Sequence, residues 1–250
     1  MYNYNVKDLI YMKKKVLLII PAYNEQENIL KTYNKVADYN LNNKLKYDVI
    51  VINDGSTDNT EAILNENNIP HIKLIHNLGI GGAVQTGYKY AYDNNYDIAV
   101  QFDGDGQHDV MYVKNIIEPI INGDADFTIG SRYIDSSSSE FKSTKARQIG
   151  IKVISFFIKF VTHKKVYDTT SGFRACNKKV IEYFSKDYPT EYPEPITTTE
   201  LLKKKFSFAE IPVSMNERES GVSSIRAWKN VYYMLNVCLS IIMVGIRRNK

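Results

Sequence analysis

The sequence predicts an α/β protein built on a mostly parallel sheet with helices on both faces. Three observations carry that expectation. Short runs rich in Val and Ile alternate with longer stretches of helical spacing over the first 130 or so residues. Those runs are apolar at consecutive positions, as in strands buried on both faces rather than one. The composition is that of an ordinary globular chain, 44% hydrophobic and 24% charged over 250 residues, which excludes wholesale disorder, a collagen-like repeat and a multi-span membrane protein.

In chain order, residues 1–12 read as a loose N-terminal extension. Asn3, Asn5, Lys7 and Asp8 break up any signal-peptide core, and Met12-Lys13-Lys14-Lys15 offers a second start. Val16–Ile20 is the first predicted strand, followed by Val49–Asn53, Ile72–Ile75, Ile98–Phe102 and Phe127–Ile129. Helical spacing fills the intervals around 25–37, 58–67, 81–93 and 110–122. Asp135 to Ser139, with its four serines, reads as a flexible loop. An apolar helix over about 147–162 comes next, then a region of mixed pattern to 224.

Val231 to Ile246 carries no charge and ends against Arg247, Arg248 and Lys250. Such a helix spans roughly 24 Å, short of the ~30 Å hydrocarbon core. It reads as a helix docked on the protein's own core, with an interfacial or oligomer-forming helix as the rival. The expected organisation is therefore a main domain over 13–226 and a C-terminal helix over 227–250.

Lys and Arg number 32 against 28 Asp and Glu, a net charge of +4 that is too mild to indicate a nucleic-acid partner. Cys176 and Cys238 form no disulfide framework and no zinc spacing, as in a reducing compartment.

In open α/β sheets, ligands sit beyond the carboxyl ends of the strands, and the unusual residues of this chain cluster there. Strand one runs into Pro21-Ala22-Tyr23-Asn24-Glu25, strand two into Asp54-Gly55-Ser56-Thr57-Asp58, and strand four into Asp103-Gly104-Asp105-Gly106-Gln107-His108. Each alone is an ordinary turn or helix cap; three at successive strand ends indicate a site. Asp103 and Asp105, two apart in an extended segment, project to one side, where crowded carboxylates share a cation. With Gln107 they form a hard oxygen set suited to Mg²⁺ or Mn²⁺ held jointly with a phosphate ligand. His108 is expected behind that set or at the surface. The glycines from Gly79 to Gly82 precede a helix and serve either its packing or a phosphate; the dinucleotide-binding fingerprint and the P-loop are both absent.

Taken together, these clusters resemble the family 2 inverting glycosyltransferases of the GT-A fold. Gly130-Ser131-Arg132-Tyr133, Thr170-Ser171-Gly172-Phe173-Arg174 and Glu217-Arg218 with Gly221 to Ser224 are similar to the dolichyl- and polyprenyl-phosphate sugar synthase branch. The motifs occur in order over residues 15–226. The resemblance implies that Pro21, Tyr23, Glu25, Asp54 and Gly79 cradle a nucleoside-diphosphate sugar, with Asp103 and Asp105 on its diphosphate. It implies a metal at Asp103, Asp105 and Gln107, catalytic roles for Asp105, Arg132 and Arg218, and an acceptor phosphate held by Arg132 and Arg147.

The implied reaction is inverting transfer to a polyprenyl phosphate by a peripheral enzyme on the cytoplasmic face of the cell membrane, touching lipid or a membrane protein. An acceptor that is already anionic needs no base, whereas a saccharide hydroxyl would need one, with Asp168, Glu191 and Glu194 as the available carboxylates. Gly150 and Ile151 stand where such synthases carry a hydroxyl residue, and this keeps the saccharide acceptor open. An inactive nucleotide-sugar-binding scaffold is the alternative from another class. A nucleotidyltransferase is disfavoured, because Pro21-Ala22-Tyr23-Asn24 replaces the glycine-rich loop with arginine that such enzymes carry after strand one.

Overall fold

The computed structural model describes residues 14–43, 45–104, 106–134, 145–214 and 227–247, and at 145–147 and 227–232 the backbone alone. Its strands are β1 (Val16–Ala22), β2 (Tyr47–Asn53), β3 (His71–Lys73), β4 (Ile98–Gln101), β5 (Phe127–Ser131), β6 (Arg174–Asn177) and β7 (Phe208–Pro212). Its α-helices are α1 (Ile29–Asn43), α2 (Thr60–Glu66), α3 (Gly79–Asp93), α4 (Val113–Asn122), α5 (Lys145–Thr162), α6 (Lys178–Lys186), α7 (Pro193–Lys203) and α8 (Ala227–Ile246).

The strands form one sheet in the order β3-β2-β1-β4-β6-β5-β7. All neighbours are parallel except β6, which runs antiparallel to both β4 and β5. The expected mostly parallel sheet is thus present. β1 shows why it is buried on both sides: Leu17 and Ile19 enter one layer with Val84 and Tyr88 of α3, while Val16, Leu18 and Ile20 enter the other with Ile29 and Val36 of α1 and Ile116 and Ile117 of α4. Alternate side chains of one strand feed opposite faces, so a wholly apolar strand needs a helical layer on each. Chain order reverses between β2-β1 and β4, and this opens a crevice beyond the carboxyl ends of β1 and β4.

Several boundaries differ from the sequence reading. The third strand is His71–Lys73 rather than Ile72–Ile75, because the chain leaves the sheet and Ile75 is 90% exposed. The first helix starts at Ile29 and runs on to Asn43. Within the mixed region lie β6, α6, α7 and β7. The proline-rich segment from Asp187 to Pro195 passes into α7 at Pro193, a position where the missing N–H of proline is tolerated. Thr197, Thr198 and Thr199 are buried there because each hydroxyl donates to a carbonyl four residues back, those of Pro193, Glu194 and Pro195, at 2.6, 2.7 and 2.7 Å.

α8 packs on α5 and α7 and buries Val237 and Ile241 in the core. Gly245 lets it close on Val161, and Lys203 donates to the Gly245 carbonyl at 2.9 Å. No helix among the described residues is long and apolar enough to cross a membrane.

Candidate active site

The crevice holds a cavity of about 590 Å³. Pro21, Tyr23 and Glu25 reach it from the end of β1, Asp54 from β2, Gly79 from the start of α3 and Asp103 from β4. Gln101, Thr170, Gly172 and Glu194 complete its inner wall.

The first two motifs hold each other. Asn24, in the left-handed region at φ 55°, accepts from the Thr57 N–H at 2.8 Å and donates its own N–H to Ser56 at 3.0 Å. The Glu25 N–H donates to the Thr60 hydroxyl at 2.9 Å, and that of Gln26 to Asp58 at 3.2 Å. Burial acts to raise the Asp58 carboxyl, but hydrogen bonds from Thr60 and Gln26 outweigh it and hold the group below its ordinary value. Gly55 sits at φ 67° with no room for a side chain, since a Cβ would meet the Asn77 nitrogen at 2.8 Å. Asp54 is 3% exposed and accepts the Leu78 N–H at 2.7 Å, so it ties β2 to the start of α3. Burial raises its carboxyl, opposed by the N–H groups of Leu78 and Gly79.

The α3 glycines divide their work. Gly79 adopts φ 78° and borders the cavity. Gly81 serves packing, because a Cβ there would overlap the Pro189 carbonyl and crowd Thr190 at 2.5 Å.

Asp103 is fixed from behind. Its N–H donates to His108 Nδ1 at 2.9 Å, so the ring proton sits on Nε2, which lies 3.4 Å from the Asp103 carboxylate. His108 is 3% exposed and stacked on Phe173 at 4.7 Å, an orienting group rather than a surface histidine. A Cβ on Gly172 would stand 3.1 Å from both Asp103 carboxylate oxygens, so the glycine keeps that carboxylate open to the cavity. Gln107 is partly buried on the following loop. Asp105 and Arg218 lie outside the described residues, and Arg147 is placed in the first turn of α5 without a described side chain.

Arg132 faces elsewhere. It is 6% exposed and forms a bidentate pair with the fully buried Asp168 at 2.7 and 2.8 Å, adding a bond to the Thr170 hydroxyl at 3.1 Å. Burial would lower its pKa, yet Asp168 overrides this and raises it. Glu210, its carboxyl raised by burial, accepts the N–H groups of Tyr167 and Asp168 at 2.8 Å each and so holds the segment that carries the carboxylate. Asp168 is therefore committed to Arg132 and is not available as a base.

The outer side of Arg132 borders a second groove of about 660 Å³ along α5, lined also by Lys152, Ser155, Phe156, Lys159, Lys165 and Tyr167. Thr170 touches the first cavity and bonds the arginine of the second, so the two meet at that residue. Gln101 carries no signal in the sequence, Thr170 stands there in a family motif without a role of its own, and Glu194 is one carboxylate among three.

A crevice at the switch point of a mixed sheet, with acidic groups at three strand ends, is the arrangement of a GT-A fold. The Glycosyl transferase family 2 model matches residues 17–184, and the chain belongs to that family and is a glycosyltransferase. It is 33% identical over 220 residues to the UDP-N-acetylglucosamine–dolichyl-phosphate N-acetylglucosaminyltransferase of Methanococcus voltae, covering 80% of this chain and 85% of that one. It is 27% identical over 224 residues to the polyprenol monophosphomannose synthase of Mycolicibacterium smegmatis, covering 85% and 81%. Among solved structures, glucosyl-3-phosphoglycerate synthase from Mycobacterium tuberculosis, in complex with Mn²⁺, uridine diphosphate and phosphoglyceric acid, shares the fold. It superposes at TM-score 0.69 with 14% identity over 100% of this chain and 86% of that one.

Proposed function

We propose that the chain moves a sugar, with inversion, from a nucleoside-diphosphate sugar to a polyprenyl phosphate at the inner face of the cell membrane. The observation that carries this reading is the junction at Thr170. On one side lies a cavity with Asp54 and Asp103, and on the other an apolar groove edged by Arg132, Lys152, Lys159 and Lys165. A donor in the first and an anionic lipid headgroup at the mouth of the second would bring the two reacting ends together, and proximity is itself a large part of catalysis. The relatives named as dolichyl-phosphate and polyprenol-phosphate sugar transferases support the acceptor class.

The residues fit a divalent cation. Asp103 presents a carboxylate held open by Gly172, and Asp105 follows two positions on; hard oxygen donors suit Mg²⁺ or Mn²⁺. When bound, the ion supplies positive charge to the departing diphosphate. Arg218 would add a second positive group there, and Arg132 with Arg147 would hold the acceptor phosphate. That phosphate attacks through an oxygen already ionised, so no side chain need remove a proton.

The test is a panel of uridine and guanosine diphosphate sugars incubated with short polyprenyl phosphates and Mg²⁺ or Mn²⁺, read by mass spectrometry. A glycosyl phosphoprenol is expected. Product only on saccharide hydroxyls, or no product with any donor, would overturn the reading.

A further inference from the structure

The reactive part of the cavity has a floor that no role above uses. Gln101 ends β4 and is 1% exposed, yet it lines the cavity, and its Oε1 has no hydrogen-bond partner among the described residues. Its amide nitrogen donates to Glu194, the carboxyl on that wall, which stands in the first turn of α7. Arg174 lies opposite Gln101 across the β4–β6 pairing, 7% exposed, anchored to the Ser171 carbonyl at 2.7 Å and the Thr197 hydroxyl at 3.1 Å. Burial raises the Glu194 carboxyl, with Arg174 opposing and Asp103 adding to the rise.

We infer that Gln101 and Glu194 read the hydroxyl groups of the donor's sugar and set which sugar is transferred. This rests on the nucleotide-sugar reading above and goes further by naming the specificity residues. An amide carbonyl without a partner and a carboxyl group accept hydrogen bonds, as hydroxyl donors require. Glu194, a carboxyl with no cation proposed on it, disfavours a diphosphate at its own position, whereas Asp103 would face the diphosphate through the proposed cation. The nucleoside is placed elsewhere by distance: Asp54 follows β2, two strand spacings or about 10 Å from β4. Buried polar groups of this kind discriminate strongly, since a sugar lacking the matching hydroxyl leaves them unpaired.

The experiment is calorimetric binding to the full chain with Mn²⁺ present, using UDP, GDP, UDP-glucose, UDP-N-acetylglucosamine and GDP-mannose. It compares the wild type with Glu194→Gln and Gln101→Met, two near-isosteric variants that keep the volume of the floor. Each variant is expected to weaken the preferred nucleotide sugar by about tenfold or more, while its Kd for the free nucleoside diphosphate stays within about twofold of wild type. A ranking of sugars that changes in Glu194→Gln supports the same conclusion. Equal losses for nucleotide and nucleotide sugar, or no loss for either in both variants, would overturn the inference while leaving the donor reading intact. A wild-type chain that binds none of the five ligands would instead overturn the donor reading, and this inference with it.

Discussion

Asp168 shows how the partners of a residue fix a role that its sequence position leaves open. In the sequence it is one of three acceptor-side carboxylates, none of which stands out as a base; buried and bidentate to Arg132, it positions a guanidinium. Removing one partner of such a pair leaves the other charge buried, so Asp168→Asn is expected to lower stability by about 3–5 kcal/mol, measured by urea unfolding. Asp126 makes a second prediction. Burial acts to raise its carboxyl, but the Ser207 N–H and hydroxyl with Asn177 prevail and hold it below the ordinary carboxylate range. A folded pKa below the unfolded value stabilises the protein above the unfolded pKa, and the contribution fades as pH falls through the folded one. Asp126→Asn should therefore be less stable at pH 7 by about 1 kcal/mol. Its deficit against wild type should shrink in unfolding titrations taken progressively below about pH 4. Asp54 and Asp103 were legible because they stand at strand ends inside unusual clusters. Gln101 and Glu194 were not: one ends an apolar run that reads as plain strand, the other sits among prolines that read as a turn.

At the scale of elements, the first half of the sheet could be read because β1, β2 and β4 are apolar at nearly every position, which only a doubly covered sheet explains. The second half hid for physical reasons. β6 is four residues long, begins with an arginine and runs against its neighbours. α7 carries two prolines and three threonines, residues of poor helix propensity that succeed here through proline in the first turn and hydroxyl-to-carbonyl bonds. The contact between α3 and the loop before α7 is tight at Gly81. Gly81→Ala should push Pro189 and Thr190 away, lower stability by about 1–3 kcal/mol by thermal melting, and weaken donor binding through the displaced Glu194.

Over the whole molecule, α5 and α8 lie side by side and each buries one stripe while exposing another. α5 turns Ile151, Ile154 and Ile158 inward and leaves Ile149, Phe156 and Phe160 exposed; α8 buries Val237 and Ile241 and exposes Leu235, Leu239, Met243 and Ile246. The sequence presented core docking and an interfacial surface as rivals for the C-terminal helix; its inner face is docked on the core through Val237 and Ile241, and we propose the interfacial role for its outer face. Exposed apolar side chains on α5, with Lys152 and Lys159 on the same helix, suit an anionic bilayer. Phe156→Glu combined with Phe160→Glu is expected to cut sedimentation with phosphatidylglycerol vesicles at least fivefold, because each buried aromatic contributes about 1.5–3 kcal/mol. Folding should be unchanged, since both side chains are exposed. Deleting α8 would be a poorer test, because it strips Val237 and Ile241 from the core.

In the proposed reaction Asp103 organises the departure of a diphosphate from a donor held in the β1–β4 crevice. Nucleoside diphosphate release after addition of a short polyprenyl phosphate, measured for wild type and Asp103→Asn at equal folded concentration, tests it most directly. Acceptor-dependent release is expected to fall about a hundredfold or more in the variant; equal turnover by the two chains would remove Asp103 from that role.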